Sequence, residues 1–165
     1  MYRRVLVPLD GSATSARGLR EATGLAKAQG ARLRLLHVID ERFLVSATAA
    51  EGYMPDITRL MASLRVEGRK ALDEAAKAAL RQGVKVDTSL VESRGATVSD
   101  VILHEARKWR ADLIVMGTHG RRGINRMLLG SDAERVLRSA PVPLLLVRAE
   151  EKEKRATRKH RRAKA

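Results

Sequence analysis

Short apolar runs alternate with longer amphipathic stretches over most of the chain. Runs of about four to eight residues rich in Val, Leu and Ile are typical of strands buried in a sheet. The run at residues 84–91 differs, because apolar and polar side chains alternate there as they do in a strand at a sheet edge. The pattern predicts five strands, at residues 5–9, 32–39, 84–91, 112–116 and 142–147.

Between these runs, apolar residues recur at helical spacing. Ser12 is a favourable N-cap for the first helix, which closes at Gly30, and the second helix stops at Gly83. Residues 40–56 show no clear period, so we interpret them as a loop with room for a helical piece around residues 45–50. The predicted helices lie between residues 12 and 30 and at residues 57–82, 96–107 and 132–138.

Five strands that alternate with four helices predict a single doubly wound α/β domain, with a parallel sheet and helices on both faces. In such sheets, ligands bind outside the carboxyl ends of the strands, where the strand order reverses. The segments to examine are therefore residues 8–12, residues 38–40 and the chain from Gly117 onward.

Composition narrows the functional classes. The chain has 165 residues, no cysteine and only 2% aromatic residues, which excludes disulfides, thiolate metal sites and arrays of stacking rings. No apolar stretch reaches the roughly 20 residues of a membrane span, and the N-terminus does not resemble a signal peptide. We expect a cytoplasmic protein without membrane contact.

The formal net charge is +14, and part of it lies in a tail that we assign to residues 149–165. Residues 154–164 contain seven Lys or Arg and no acid, a composition that predicts disorder. Such a tail could contact nucleic-acid phosphates without sequence preference, although most tails of this kind are simply solvated. The rest of the charge is spread over the domain, residues 1–148.

The segment 117–131 (G-T-H-G-R-R-G-I-N-R-M-L-L-G-S) follows an apolar strand and leads into a helix. Its first three glycines allow close backbone approach to a ligand, and the free N–H groups of the helix start favour phosphate. Ser131 could add a hydroxyl donor or serve as the helix cap. The segment also contains three cations that suit a phosphate, Arg121, Arg122 and Arg126.

The alternative is that these are ordinary loop glycines and solvated arginines. The two standard nucleotide motifs, G-x-x-x-x-G-K-[ST] and a G-x-G-x-x-G after the first strand, are absent. Spacing alone therefore predicts an anion site without identifying its ligand.

The pattern Gly117-x-x-Gly120, nine residues, then Gly130-Ser131 resembles the ATP-binding signature of the universal stress protein family. The segments V-L-V-P-L-D-G-S (5–12), L-L-H-V-I-D (35–40) and P-V-P-L-L-L-V (141–147) are also similar to that family. The resemblance covers residues 1–148. It implies the branch of the family that retains the glycines and binds ATP, ADP or AMP.

The resemblance implies a role for each site residue. Asp10 would accept hydrogen bonds from the ribose, although it could instead serve only the turn into the first helix. Val38 would lie beside adenine, and His119 would lie near the phosphates unless it is a plain loop residue. The base and sugar would be lined by Pro8, Leu9 and Met116. The ribose and phosphates would be held by Gly117, Gly120, Gly130 and Ser131.

The family resemblance also implies Mg²⁺ or Mn²⁺ held mainly by phosphate oxygens, and a homodimer formed through the last strand, from Val142 to Val147. The main functional hypothesis is an ATP-binding stress-response or signalling module. One alternative is a slow ATP hydrolase, for which the sequence offers no general base, since Asp132 suits the helix dipole better. The other is a nucleic-acid-associated protein acting through its tail.

Overall fold

The computed structural model describes residues 1–41, 56–120 and 129–148. The strands are β1 (Arg4–Pro8), β2 (Arg32–Ile39), β3 (Lys85–Glu92), β4 (Leu113–Gly117) and β5 (Leu144–Val147). The helices between them are α1 (Ala13–Gln29), α2 (Ile57–Leu80), α3 (Val98–Lys108) and α4 (Ser131–Ser139). The helical piece predicted around residues 45–50 and the predicted tail lie outside the described residues. None of the helices in the described ranges is both long and apolar enough to cross a membrane.

All five strands pair in parallel, in the order β3-β2-β1-β4-β5. The chain moves outward from β1 through β2 to β3, and then returns to the other side of β1 to form β4 and β5. This reversal creates a switch point between the carboxyl ends of β1 and β4, the position at which such sheets bind ligands. The predicted doubly wound α/β fold is confirmed, and β3 is an edge strand as its alternating pattern indicated.

Helices cover both faces of the sheet, and each face has its own apolar core. On the first face, α1 and α2 pack on alternate residues of the central strands, among them Val5, Val7, Leu33, Leu35 and Val115. On the second face, α3 and α4 pack on the residues between them, among them Leu6, Leu36, Ile114 and Met116. Side chains of successive strand residues point to opposite faces, so a strand buried on both faces must be apolar throughout.

Two elements start two residues later than the sequence pattern predicts, whereas the other starts agree to within one residue. The last strand begins at Leu144 and not at residue 142, since Pro143 has no N–H to donate and contributes only its carbonyl oxygen, 3.0 Å from the Ile114 nitrogen. The third helix begins at Val98 and not at residue 96, because the Thr97 side chain and Asp100 form a capping box there. Apolar periodicity alone does not predict these local hydrogen bonds.

Candidate functional site

Asp10 follows β1, and its two carboxylate oxygens have different neighbours. Its Oδ1 accepts a hydrogen bond from the Ser12 N–H at 2.9 Å, across a turn in which Gly11 has a φ of 79°. Its Oδ2 faces the loop after β4, since a Cβ at Gly120 would lie 2.8 Å from that oxygen. The turn explains one oxygen of Asp10, and the other is presented to the loop that follows β4.

Thr14, in the first turn of α1, holds the loop after β4 against that helix. The side chain is only 6% exposed, and its hydroxyl donates a hydrogen bond to the His119 carbonyl oxygen. The same hydroxyl lies 2.9 Å from Ser12 Oγ. A Cβ at Gly117 would lie 2.8 Å from the Thr14 Cβ. Glycine at 117 is therefore required by packing against α1, in addition to any approach of a ligand.

Thr118 connects the same loop to β5 and to α4. Its N–H donates to the Val147 carbonyl oxygen at 2.9 Å, and its own carbonyl oxygen accepts from the Gly130 N–H at 2.9 Å. Its hydroxyl lies 3.0 Å from His119 Nδ1. The start of α4 is consequently fixed beside the loop after β4, even though the two are separated in the sequence.

The helix start at α4 has the character of an anion site. Gly130 is the N-cap, so Ser131 is the first helical residue and not the cap that the sequence allowed. The glycine has no side chain to satisfy the first N–H groups of the helix, which carry partial positive charge. Asp132 is turned away toward α3, where its Oδ1 accepts from the Ser99 N–H at 3.3 Å. Backbone N–H groups at such a terminus favour phosphate.

The residues predicted to line the base and sugar lie at the ends of β1, β2 and β4, but on both faces of the sheet, because Leu9 packs with the core of the first face. Pro8 pairs with Leu36 in the sheet, and Val38 lies two residues beyond Leu36 in β2. Val38 and Met116 both pack with the core of the second face, Met116 almost buried at 7% exposure and Val38 half-buried. Leu9 is half-buried, and its N–H donates to the Leu36 carbonyl oxygen at 2.8 Å.

The structure therefore assembles all ten predicted positions around the ends of β1, β2 and β4 and the start of α4. The cations predicted for phosphate, Arg121, Arg122 and Arg126, lie outside the described residues, as does Gly123. Across the described ranges, no group of three or more His, Cys, Asp or Glu side chains could hold a metal ion. A divalent ion at this site fits the residues only if phosphate oxygens and water supply most of its ligands.

Sequence reasoning missed two residues that organise the site, Thr14 and Thr118. Neither is an unusual residue at its position, because threonines at helix starts and strand ends are common and carry no spacing signal. The partner of the Thr14 hydroxyl is 105 residues away in the sequence. Only the parallel pairing of β1 with β4 brings the two segments together.

Comparison with known proteins agrees with the fold described above. The profile of the Universal stress protein family matches residues 1–148. A universal stress protein of Methanocaldococcus jannaschii is 38% identical over 153 residues, which cover 93% of this chain and 86% of the relative. A family member from Burkholderia pseudomallei has a solved structure with a TM-score of 0.69 and 37% identity, over 88% of this chain and 96% of that one.

A further solved universal stress protein, in complex with cAMP, has a TM-score of 0.61 and 26% identity. The similarity covers 90% of this chain and 98% of that one. Each of these proteins is therefore similar to the present chain over at least 86% of the length of both.

Proposed function

This chain belongs to the universal stress protein family, and we propose that it binds ATP, or another adenine nucleotide, at the switch point between β1 and β4. The observation that carries the proposal is the convergence of a carboxylate oxygen with a helix start. Asp10 Oδ2 is presented to Gly120, and Gly130 at the start of α4 is hydrogen-bonded to the same loop. A ribose needs an acceptor for its hydroxyls, and phosphates need N–H donors.

The similar protein solved with cAMP supports an adenine nucleotide as the ligand. In the proposed complex, Asp10 accepts hydrogen bonds from the ribose hydroxyls, and adenine packs against the half-buried Val38 and the neighbouring Pro8, Leu9 and Met116. The glycine backbone and the first turn of α4 donate to the phosphates, beside His119. A magnesium ion bound with the nucleotide would be held mainly by phosphate oxygens and water, with few ligands from the protein.

Isothermal titration of the full chain with ATP and MgCl₂ tests the proposal. We expect saturable heat from the natural protein and at least a 10-fold weaker Kd for Asp10→Asn, since a hydrogen bond to a charged group contributes about 1.5–3 kcal/mol. The amide keeps an acceptor for the Ser12 N–H, so the turn survives. Asp73→Asn, an equal charge change on an exposed part of α2, should bind as the natural protein does. Absence of heat with ATP, ADP, AMP and cAMP alike would reject the proposal.

We also propose that two copies pair through β5, the outermost strand beside β4. Leu145 in this strand is 38% exposed, and a groove of about 310 Å³ runs between β5 and α1, lined in part by Arg17 and Glu21. An apolar edge strand left open invites pairing with another chain, and a two-fold symmetric pairing would close it.

A further inference from the structure

The amino ends of the strands, opposite the candidate nucleotide site, carry cations in register. Arg4 of β1 pairs with Arg32 of β2, and Arg32 pairs with Lys85 of β3. Paired residues of parallel strands project their side chains to the same face, and adjacent strands are about 4.8 Å apart. Three exposed cations therefore form a row about 10 Å long across three strands.

Further exposed cations flank this row, at the first residues of the chain, in the last turn of α3 and in the turn from α3 to β4. We call the whole group the cationic edge, and its members are Arg3, Arg4, Arg32, Lys85, Lys108 and Arg110. Attraction to a helix C-terminus accounts for Lys108 in the last turn of α3. It does not account for cations at the starts of three strands.

The acids near the cationic edge are already engaged. Asp87 lies 3.7 Å from Arg32 and 3.9 Å from Arg34, and Glu105, only 3% exposed, lies between Arg34 and Lys108. Asp112 accepts hydrogen bonds from the backbone N–H groups of the first residues of the chain. The acids are fewer than the cations, so the edge keeps an excess of positive charge at its surface.

Arg110 provides a second observation. Its φ is 54°, in the left-handed region, where a helix normally ends on glycine or asparagine. An arginine at this position strains the backbone and adds a cation at the cationic edge. The strain is consistent with a role for the side chain, because glycine would serve the turn better.

The aromatic residue at this edge is not available for stacking. Trp109 is 8% exposed, with the guanidinium of Arg34 at 4.8 Å and that of Arg4 at 5.9 Å from its ring centroid. Single-stranded nucleic acids are usually held by stacking of bases on aromatic rings, whereas duplexes offer closely spaced phosphates. A row about 10 Å long spans about three nucleotides of a duplex strand at about 3.4 Å each.

We propose that the cationic edge binds the phosphate backbone of double-stranded nucleic acid, without sequence specificity and at the end of the domain opposite the nucleotide site. The partner is DNA or RNA, since both offer the same phosphates. The interaction is electrostatic, so it weakens steeply with salt. It does not depend on ATP binding at the carboxyl ends of the strands.

Fluorescence anisotropy with labelled DNA and RNA duplexes of about 20 base pairs tests the proposal in the full chain. We expect the variant Arg32→Gln, Lys85→Gln to bind about 10-fold more weakly at low salt, with a slope of log K against log salt shallower by about 2. The matched variant Arg69→Gln, Lys70→Gln removes two exposed cations from α2 and should change the Kd less than twofold. The DNA and RNA arms identify the natural duplex by their relative affinities.

Equal losses in the two double variants would show that net charge alone drives binding, and would overturn the proposal. Unchanged duplex binding in Arg32→Gln, Lys85→Gln would overturn it as well. The proposal would also be overturned if this variant bound vesicles containing phosphatidylserine more weakly but bound duplexes as the natural protein does. ATP titrations of the same variants should match the natural protein, so a failure here is distinct from a failure of the nucleotide proposal.

A pair of glycine substitutions separates a loss of duplex binding from a loss of folding. Arg110→Gly and Arg94→Gly both remove one cation from a left-handed position, with φ values of 54° and 48°, but Arg94 is at the carboxyl ends of the strands. Both changes should raise the Tm, because glycine relieves the strain. Only Arg110→Gly should weaken duplex binding, by about 2- to 5-fold, with a slope shallower by about 1. Equal binding by the two variants would contradict the assignment of the surface.

Discussion

The Thr14 hydroxyl donates a hydrogen bond to the His119 carbonyl oxygen and so ties the first turn of α1 to the loop after β4. This contact joins the two segments that approach the switch point from β1 and from β4. The bond fixes the backbone of His119, in the described part of that loop, beside the switch point. Such preorganisation lowers the entropic cost of binding.

Thr14→Val should weaken ATP binding by about 3- to 10-fold and lower the free energy of unfolding by about 1–3 kcal/mol. Valine has the shape of threonine, but it leaves the His119 carbonyl oxygen without its donor. Isothermal titration and urea unfolding measure the two effects.

Thr23→Val is the matched control for this prediction. Thr23 is also buried in α1, at 2% exposure, and its hydroxyl donates to the Leu19 carbonyl oxygen at 2.7 Å. The control should lose stability without losing ATP affinity, since Thr23 does not contact the loop. Equal ATP affinities of the two variants would show that Thr14 has only a structural role.

Gly117→Ala should lower the free energy of unfolding by about 1–3 kcal/mol, since the added methyl would lie 2.8 Å from the Thr14 Cβ and overpack the junction. Gly24→Ala is the control, because a Cβ at this position in α1 meets no atom within 4 Å. That change should stabilise the protein by about 0.5–1 kcal/mol. Urea unfolding measures both changes. An unchanged free energy of unfolding for Gly117→Ala would contradict the packing role of this glycine.

The order of strands and helices could be predicted because each element carries its own periodicity. The almost continuously apolar run at residues 112–116 predicted a central strand, and β4 is buried on both faces. Ser12 and Gly30 predicted the ends of α1, and the structure has Ser12 as the N-cap and Gly30 at the C-cap with a φ of 68°. These signals are local, so they can be recognised in a single sequence.

The contacts within the site could not be predicted, because they join residues that are distant in the chain. Gly120 looked like a point of ligand approach, but its lack of a side chain also makes room for Asp10 Oδ2. The division of the Asp10 carboxylate between a turn and the loop is equally invisible in the spacing. Such roles depend on the pairing of β1 with β4, which local periodicity does not encode.

The ion pair between Arg65 and Glu92 predicts a pH dependence of stability. Arg65 Nε donates to Glu92 Oε1 at 2.5 Å and thereby lowers the pKa of the Glu92 carboxyl below its ordinary value of 4.5. A lowered pKa stabilises the folded state above the pKa of the unfolded chain, and the effect is lost as the pH falls through the lowered value. The pair is exposed to solvent, so the effect is small.

Glu92→Gln should therefore have a lower Tm than the natural protein between about pH 6 and 8, and the difference should shrink below pH 4.5 and disappear once the pH is below the lowered pKa of the Glu92 carboxyl. Circular dichroism melts across this pH range measure it. Glu74→Gln, at an exposed position of α2, should show a smaller difference that varies less with pH. A Tm difference for Glu92→Gln that persists at low pH would contradict the role of the ionised carboxylate.

Leu145→Lys should disrupt the proposed dimer, with at least a 10-fold increase in its dissociation constant. The bonds from the Ile114 N–H to the Pro143 carbonyl and from the Thr118 N–H to the Val147 carbonyl show that alternate residues of β5 face β4. The backbone groups of Leu144 and Leu146 therefore face the open edge and are available to a second copy. A lysine on an edge strand blocks such pairing, because two copies would bring like charges together.

Sedimentation equilibrium should report a dimer for the natural protein and for Leu137→Lys, the same change at a 52% exposed leucine of α4. A natural protein that stays monomeric, or a dimer that tolerates Leu145→Lys, would exclude β5 as the interface.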